Sequence, residues 1–155
     1  MSNFFDNVKV PKIVKPISMG DYDESMADAP PVFVWVNPDQ DMLTEYREFQ
    51  LKIAEAEKMM YRAIKGAKRF SKIKSIQSAY LKRATKKINE ANDRNREWLA
   101  AIWSQGAPET HVNAADVKRT QEHIIKTDGA LWLFLVNQTY SMILAHNNRA
   151  ALEKN

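Results

Sequence analysis

The chain has 155 residues, of which 45% are hydrophobic and 27% are charged, and it contains no cysteine. This length and composition allow one folded domain with a modest core and exclude wholesale disorder. The lack of cysteine excludes disulfide frameworks, thiolate metal sites and thiol nucleophiles, and it fits a reducing compartment. The N-terminal residues lack the basic start and apolar stretch of a signal peptide, and no run approaches the roughly 20 apolar residues of a membrane span. We therefore expect a cytoplasmic protein without a membrane partner.

The net charge of +4 is unevenly distributed along the chain. Residues 1–51 carry four basic and nine acidic side chains, residues 52–96 carry fourteen and four, and residues 97–155 carry five and six. An acidic start is thus followed by a strongly basic middle. This asymmetry predicts either a polyanionic partner or an acidic arm that lies against the basic helices, and the sequence leaves both open.

Residues 1–37 are predicted to form an extended arm. Prolines at four positions exclude a continuous helix there: Pro11, Pro16, Pro30 and Pro31. The segment Val32–Val36 is β-branched and aromatic, which predicts a strand. A single strand cannot satisfy its own backbone groups. We therefore expect it to pair with residues 8–14 or with a strand from another chain.

A long helix is predicted over residues 38–64. Asn37 is a suitable N-cap, Pro38 fits the first helical position, and Gln40 lies where a capping box needs it. Apolar residues then recur at alternating spacings of four and three, which is the heptad pattern of helix-on-helix packing. This seam comprises Met42, Tyr46, Phe49, Ile53, Ala56, Met60 and Ala63.

A second long helix is predicted over residues 72–104. Its apolar stripe is rotated from the first by roughly a third of a turn, and Gly66 lies where the two phases meet. The change of phase predicts a turn near residues 65–72 that joins the helices into an antiparallel hairpin, with a single bent helix as the alternative. The second stripe comprises Ile73, Ile76, Tyr80, Ala84, Ala91, Trp98 and Ile102.

Two shorter helices are predicted over residues 114–127 and 129–148. Gly106 and Pro108 should stop the second helix, Asn113 caps the third, and Asp128 with Gly129 separates the third from the fourth. Residues 131–136 are apolar on every side, which is typical of a buried helix and, as the alternative, of a buried strand. The predicted fold is mainly α, with a long antiparallel helical hairpin and a smaller C-terminal helical part in one helical domain over residues 38–155. An extended N-terminal arm over residues 1–37 and one short β segment complete it.

The sequence contains no pattern of an active site. The three histidines lack metal-ligand spacing, and there is no phosphate-binding loop or nucleophile elbow. The acidic cluster in residues 21–28 lacks the spacing and the glycine of a calcium loop. We therefore predict a protein that is not an enzyme and that holds no metal or cofactor.

The basic tract between Arg62 and Lys87 contains ten Lys or Arg and no Asp or Glu. Crowded like charges weaken a helix by a few tenths of a kcal/mol per pair, so a negatively charged partner would relieve them. Nucleic acid phosphates, an acidic protein surface and the arm itself all fit, although few aromatic residues are present to stack on single-stranded bases. The candidate contact residues in the tract are Arg62, Lys65, Arg69, Lys72, Arg83, Lys86 and Lys87.

Aromatic residues of the arm are a second set of candidate contacts. Tryptophan and tyrosine are frequent anchors of interfaces, and the short strand gives its aromatic residues little shielding. We therefore predict that Tyr22, Phe33 and Trp35 contact another chain. By contrast, Trp98, Trp103 and Trp132 fall on helix stripes and are predicted to be core residues.

Three segments carry a family resemblance. They are Val32–Pro38 leading into a long charged helix, Glu97–Gly106, and Asp128–Leu135. Together they resemble small accessory proteins of tailed bacteriophages and prophages, in particular tail assembly chaperones. The resemblance implies a non-enzymatic helper in the host cytoplasm that binds the tape-measure protein and keeps it soluble until the tail tube forms around it.

Three functions follow as hypotheses. The first is a chaperone-like factor of phage tail morphogenesis that holds a helical or apolar protein partner. The second is a basic helical protein that binds nucleic acid through residues 62–87. The third is a structural subunit of a virion or of another complex, which includes a homo-oligomer, whose arm adds a strand to a neighbour's sheet.

Overall fold

The structure is a computed structural model that describes residues 10–67, 74–107 and 113–152. It confirms a mainly α fold with one small sheet. Its elements are β1 (Val14–Ile17), β2 (Val32–Trp35), α1 (Gln40–Ala67), α2 (Lys74–Gly106), α3 (Ala114–Thr127) and α4 (Gly129–Leu152).

The chain divides into two compact units. The hairpin unit comprises Asp39–Leu99, and the arm unit comprises Met1–Pro38 with Ala100–Asn155. The sequence predicts a boundary near residue 37 but none within α2, whose residues contribute to both units.

In the hairpin unit, α1 and α2 run antiparallel. At one end the Trp98 indole N–H donates to the Met42 carbonyl oxygen at 2.8 Å, and at the other the Gln77 amide donates to the Ala63 carbonyl oxygen at 3.4 Å. The start of α1 therefore lies beside the end of α2, which confirms the hairpin and excludes a single bent helix. Most of the predicted turn at residues 65–72 lies outside the described residues.

The hairpin core changes character along its length. Near the start of α1, Tyr46, Phe49 and Trp98 form an aromatic cluster with ring centroids 5.2 to 6.1 Å apart. Burial in this cluster raises the pKa of Tyr46 above its ordinary value. Toward the turn, the buried residues are small instead of aromatic: Ala56, Ala84 and Ala91. Tyr46 and Phe49 of the first predicted stripe thus meet Trp98 of the second, whereas Tyr80 of the second stripe is 54% exposed.

The start of α1 differs from the prediction. Asp39, rather than Asn37, is the N-cap, since its carboxylate accepts from the Met42 backbone N–H at 2.9 Å. The Asn37 side chain instead accepts from the Ile13 backbone N–H at 2.7 Å and from the Trp35 indole at 3.0 Å, and it donates to the Pro11 carbonyl oxygen at 2.9 Å. The cap prediction was wrong because these long-range partners occupy the Asn37 amide.

The strand of the arm finds its partner within the chain. β2 pairs antiparallel with β1, with Val14 opposite Trp35 and Ile17 opposite Val32. Pro16 is tolerated because both strands of a two-stranded sheet are edge strands. The connection between them contains two 3₁₀ turns, Met19–Asp21 and Glu24–Met26. The pairing segment Val14–Ile17 overlaps the predicted residues 8–14 at Val14, and the Val36 backbone N–H also donates to the Ile13 carbonyl oxygen at 2.9 Å.

The arm packs on helices of its own unit. Both strands contact α4, and β2 passes so close to the end of α2 that a Cβ on Gly106 would lie 2.8 Å from the Phe33 carbonyl oxygen. Gly106 is the last residue of α2, so the helix extends two residues past its predicted end at 104. The glycine therefore serves the close approach of a strand as well as the end of a helix.

The C-terminal helices begin at the predicted positions, Ala114 and Gly129. The Asn113 side chain accepts from the Asp116 backbone N–H at 2.9 Å, and Asp128 caps α4 by accepting from the Leu131 N–H at 2.9 Å. Residues 131–136 are helical, so the strand alternative is excluded. The core of the arm unit contains Ile17, Val34, Val36, Ile102, Trp103, Leu131, Leu135 and Ile143.

Tryptophan and threonine share a buried hydrogen bond in this core. The Trp103 indole N–H donates to the Thr139 hydroxyl at 3.0 Å, and that hydroxyl donates to the Leu135 carbonyl oxygen at 2.8 Å. Trp103 is 7% exposed, and the half-buried Trp132 meets it edge-on with centroids 5.9 Å apart. These hydrogen bonds offset the cost of taking the indole N–H and the hydroxyl out of water.

Candidate interaction surface

Helix α1 carries a second seam on its exposed side. We define the outer seam of α1 as Leu51, Ala54, Lys58, Tyr61 and Lys65, which follow one another at alternating spacings of three and four. Leu51 and Tyr61 are each 65% exposed, and the other three are exposed as well. Since the first seam of α1 packs on α2, the helix has two separate lines of contact residues, and the outer seam faces solvent.

A shallow groove lies along the outer seam. It has a volume of about 370 Å³ and is lined by Ala54, Glu57, Lys58, Tyr61 and Arg62. The Lys65 ammonium lies 5.8 Å from the centroid of the Tyr61 ring, a cation–π distance. Because small-molecule sites enclose most of their ligand, this open groove on one helix suits another helix better.

A second groove lies between α1 and α2. It has a volume of about 440 Å³, and its lining residues are Lys52, Glu55, Lys87, Glu90, Ala91, Asp93 and Arg94. Three carboxylates and three cations alternate around it, so it favours neither an anion nor a cation. It therefore lacks the single sign of charge that would concentrate a charged substrate.

The basic residues predicted from the sequence lie in the half of the hairpin nearer the turn. Arg62, Lys65, Arg83 and Lys86 are exposed, and Lys87 is half-buried. Lys86 lies 3.8 Å from Glu90 in a solvent-exposed pair, which contributes little at this exposure. Arg69 and Lys72 lie outside the described residues. The sequence from Lys58 to Lys87 contains no carboxylate, so this half of the hairpin is strongly positive.

The predicted aromatic contacts of the arm lie within their own unit. The Tyr22 hydroxyl donates to the Asp128 carboxylate at 3.1 Å, and its ring centroid is 5.4 Å from that of Phe134. Trp35 is only 8% exposed, with the Lys12 ammonium 4.9 Å from its ring, and Phe33 is half-buried. Their contact with another chain stays a prediction, and each of the three is less exposed than Leu51 or Tyr61 of α1.

The sequence analysis missed the outer seam of α1. The signal was present, because Leu51 and Tyr61 fit the spacing of a heptad. Lysine at two of the five positions hid the pattern, since lysine is usually assigned to a solvated face. The structure reveals it by the exposure of the apolar members.

No metal-binding or membrane-spanning feature emerges from the part of the chain that the structure describes. Within residues 10–67, 74–107 and 113–152, no group of three or more His, Asp or Glu is placed to hold a metal ion. None of the described helices combines the length and apolar character that a membrane span requires.

Comparison with known proteins identifies no relative. No protein-family model matches the chain, and neither a curated protein nor a solved structure matches it.

Proposed function

We propose that this protein is a non-enzymatic accessory factor that binds a helical or apolar protein partner, in the manner of a chaperone of phage tail morphogenesis. The observation that carries the proposal is the outer seam of α1, in which Leu51 and Tyr61 are each 65% exposed. Apolar and aromatic residues at seam spacing are the means by which one helix binds another. The resemblance of residues 32–38, 97–106 and 128–135 to tail assembly chaperones supports the tape-measure protein as that partner.

The charge of the seam indicates the chemistry of the partner. Lys58 and Lys65 lie in the seam itself, and Arg62 flanks it. A partner helix with apolar residues opposite Leu51 and Tyr61 needs carboxylates near the two lysines, because an unpaired charge at an interface core is costly. The partner is therefore expected to be an amphipathic helix with an acidic edge.

Co-expression with the tape-measure protein of the same gene cluster tests the proposal. The wild-type chain should keep that protein in the soluble fraction and co-purify with it. The double variant L51S/Y61S should weaken the complex by about tenfold or more, since exposed anchors at an interface typically contribute more than 1 kcal/mol each. Affinity measured by titration calorimetry should fall only modestly with salt, because the lysine–carboxylate pairs are screened but the apolar contacts are not.

A matched control is available on the other helix. Tyr80 is 54% exposed, close to the exposure of Tyr61, but it lies on α2 outside the outer seam. Y80S should leave the affinity unchanged. Equal losses for Y61S and Y80S, or no effect of L51S/Y61S on the complex, would contradict binding through the outer seam.

A second candidate function, nucleic acid binding, is favoured by the exposed cations near the hairpin turn. Arg62, Arg83 and Lys86 are exposed there, and the exposed rings of Tyr61 and Tyr80 lie on the same two helices. The cations would bind the phosphates of a nucleic acid strand, and its bases would stack on the tyrosine rings.

Salt separates this function from the first. Fluorescence anisotropy with random duplex and single-stranded DNA should detect binding at about 50 mM salt and a steep loss by about 200 mM salt. The variant R83E should lower the slope of log affinity against log salt. Absence of binding at low salt would eliminate the nucleic acid function and leave the protein-binding proposal intact.

A further inference from the structure

Helix α4 has an uncharged surface on both of its sides. Residues 129–148 contain no Asp, Glu, Lys or Arg, in a chain where 27% of residues are charged. Leu131, Leu135, Thr139 and Ile143 form the buried side, with exposures of 7% or less. A helix with one solvated side ordinarily carries charges there, so the lack of charge on the exposed side needs an explanation.

The exposed side of α4 has the spacing of a packing seam. We define the α4 face as Ala130, Leu133, Asn137, Tyr140, Leu144 and Asn147, which follow one another at alternating spacings of three and four. Leu133 is 60% exposed and Leu144 is 51% exposed. Ala130 and Asn137 are exposed, while Tyr140 and Asn147 are half-buried. Depletion of charge around exposed leucines is typical of the core of a protein interface.

We infer that the α4 face binds the α4 face of a second copy of this chain, with the two helices antiparallel. The spacing is symmetric about a point between Gln138 and Thr139, so a two-fold axis there maps the face onto itself. Leu133 then lies opposite Leu144 of the second copy, Asn137 opposite Tyr140, and Ala130 opposite Asn147. An isologous interface needs this self-complementarity.

The pairing matches chemistry as well as position. Leucine meets leucine in the two layers on either side of the centre, and the central layer places an asparagine amide beside a tyrosine, both able to hydrogen-bond. The outermost layers place Ala130 beside Asn147, the smallest side chain of the face beside a polar one. A polar residue in a seam fixes register at some expense of stability. Because the face is uncharged, an equally uncharged surface is its complement, whereas a charged partner would leave its own charges unpaired.

The size of the face sets the strength of the dimer. Twenty helical residues span about 30 Å, and a strip about 10 Å wide covers on the order of 300 Å² per copy. Stable complexes bury about 800 Å² per partner. The dimer is therefore weak, with a dissociation constant in the micromolar range or above, and its population depends on concentration.

Sedimentation equilibrium of the full chain over roughly 5 to 500 µM tests the inference, since that range spans the dissociation constants of weak complexes. Wild type should pass from monomer toward dimer. L133E should reduce association at least tenfold, because it places two unpaired carboxylates in the interface. Y80E, at a residue of α2 that is 54% exposed and lies outside both proposed surfaces, should associate like wild type. A wild type that stays monomeric throughout, or an L133E that associates normally with unchanged circular dichroism, would overturn the inference.

Charge pairing tests the antiparallel register. The double variant L133E/L144K places opposite charges across both ends of an antiparallel pair, so it should recover association that L133E loses. A parallel pair would oppose like charges instead, and failure to recover would overturn the antiparallel arrangement. Since the chain has no cysteine, a mixture of L133C and L144C should also oxidise to a heterodimer more readily than either variant alone forms a homodimer.

Discussion

At the scale of the residue, Asp128 joins three parts of the arm unit. Its backbone N–H closes α3 by donating to the Ile124 carbonyl oxygen at 2.7 Å, and its carboxylate caps α4 through the Leu131 N–H. The same carboxylate accepts the hydroxyl of Tyr22. The arm is thus fastened to the junction of α3 and α4 by a side chain that the local helix cap already requires.

Tyr22 gives this fastening a dependence on pH. Burial, followed by the hydrogen bond to Asp128 and the negative charges of Asp128 and Asp23, raises the pKa of Tyr22 above its ordinary value of 10.0. A group whose pKa is raised by folding stabilises the fold fully below its unfolded pKa and loses that contribution as pH rises through its folded pKa. We expect the free energy of unfolding of wild type to exceed that of Y22F below about pH 10 and the difference to vanish at higher pH.

Chemical unfolding of both proteins at several pH values checks this prediction. Tyr46, whose pKa is also raised, is present in both proteins, so its titration cancels in the difference. A difference that stays constant up to about pH 12 would show that the Tyr22 hydroxyl does not interact with Asp128 as described.

At the scale of the element, two glycines near helix ends have opposite roles. A Cβ on Gly106 would lie 2.8 Å from the Phe33 carbonyl oxygen and 3.0 Å from the Trp35 nitrogen, both backbone atoms that cannot rotate away. A Cβ on Gly66, near the end of α1, would meet nothing within 4 Å. The first glycine is required by packing, and the second only adds freedom to the unfolded chain.

The same substitution should therefore have opposite effects at the two sites. G106A should destabilise the protein by about 1–3 kcal/mol, because β2 must move away from α2. G66A should stabilise it by up to about 1 kcal/mol, since alanine favours a helix. Thermal unfolding followed by circular dichroism measures both changes. A neutral G106A would show that β2 does not approach the end of α2 this closely.

At the scale of the whole molecule, charge is separated along the hairpin unit. Residues 39–57 carry six carboxylates and two cations, whereas residues 58–87 carry eleven cations and no carboxylate. Since α1 and α2 are antiparallel, the cations lie toward the turn and the carboxylates toward the open end. The crowded cations repel one another and weaken the helices of this half.

Reversing the charge of one residue in each region tests this separation of cations and carboxylates. K82E creates a favourable pair with Lys86 four residues later and should stabilise the hairpin by roughly 0.5 kcal/mol. K52E places a new carboxylate beside Glu48 and Glu55 and should destabilise it by a similar amount. Unfolding at low and high salt measures both effects, and each should shrink at about 1 M salt, where charges are screened. Effects of the same sign would contradict the charge separation.

The sequence by itself determined the class of this fold and most of its helices. Apolar spacing of three and four along residues 38–104 depends only on the period of the helix, and the change of phase near Gly66 marks where direction reverses. The cap at Asn113 was equally readable, because a cap acts on a backbone N–H only two or three residues away. Asp128 and Gly129 marked the boundary between α3 and α4, although the cap made by Asp128 was not predicted. Those features are local, so they can be recognised in the sequence without knowledge of the tertiary contacts.

Only the tertiary structure decided the partners of the arm and the surfaces that are left exposed. The hydrogen bonds of Asn37 to Pro11 and Ile13 could not be predicted, since its sequence context equally suits a helix cap. Tyr22 meets Asp128 from 106 residues away, which no periodicity encodes. Leu51, Tyr61, Leu133 and Leu144 became candidate contacts only through their exposure. The physical reason is that a side chain's free energy depends on what packs against it, and distant segments of the chain supply those neighbours.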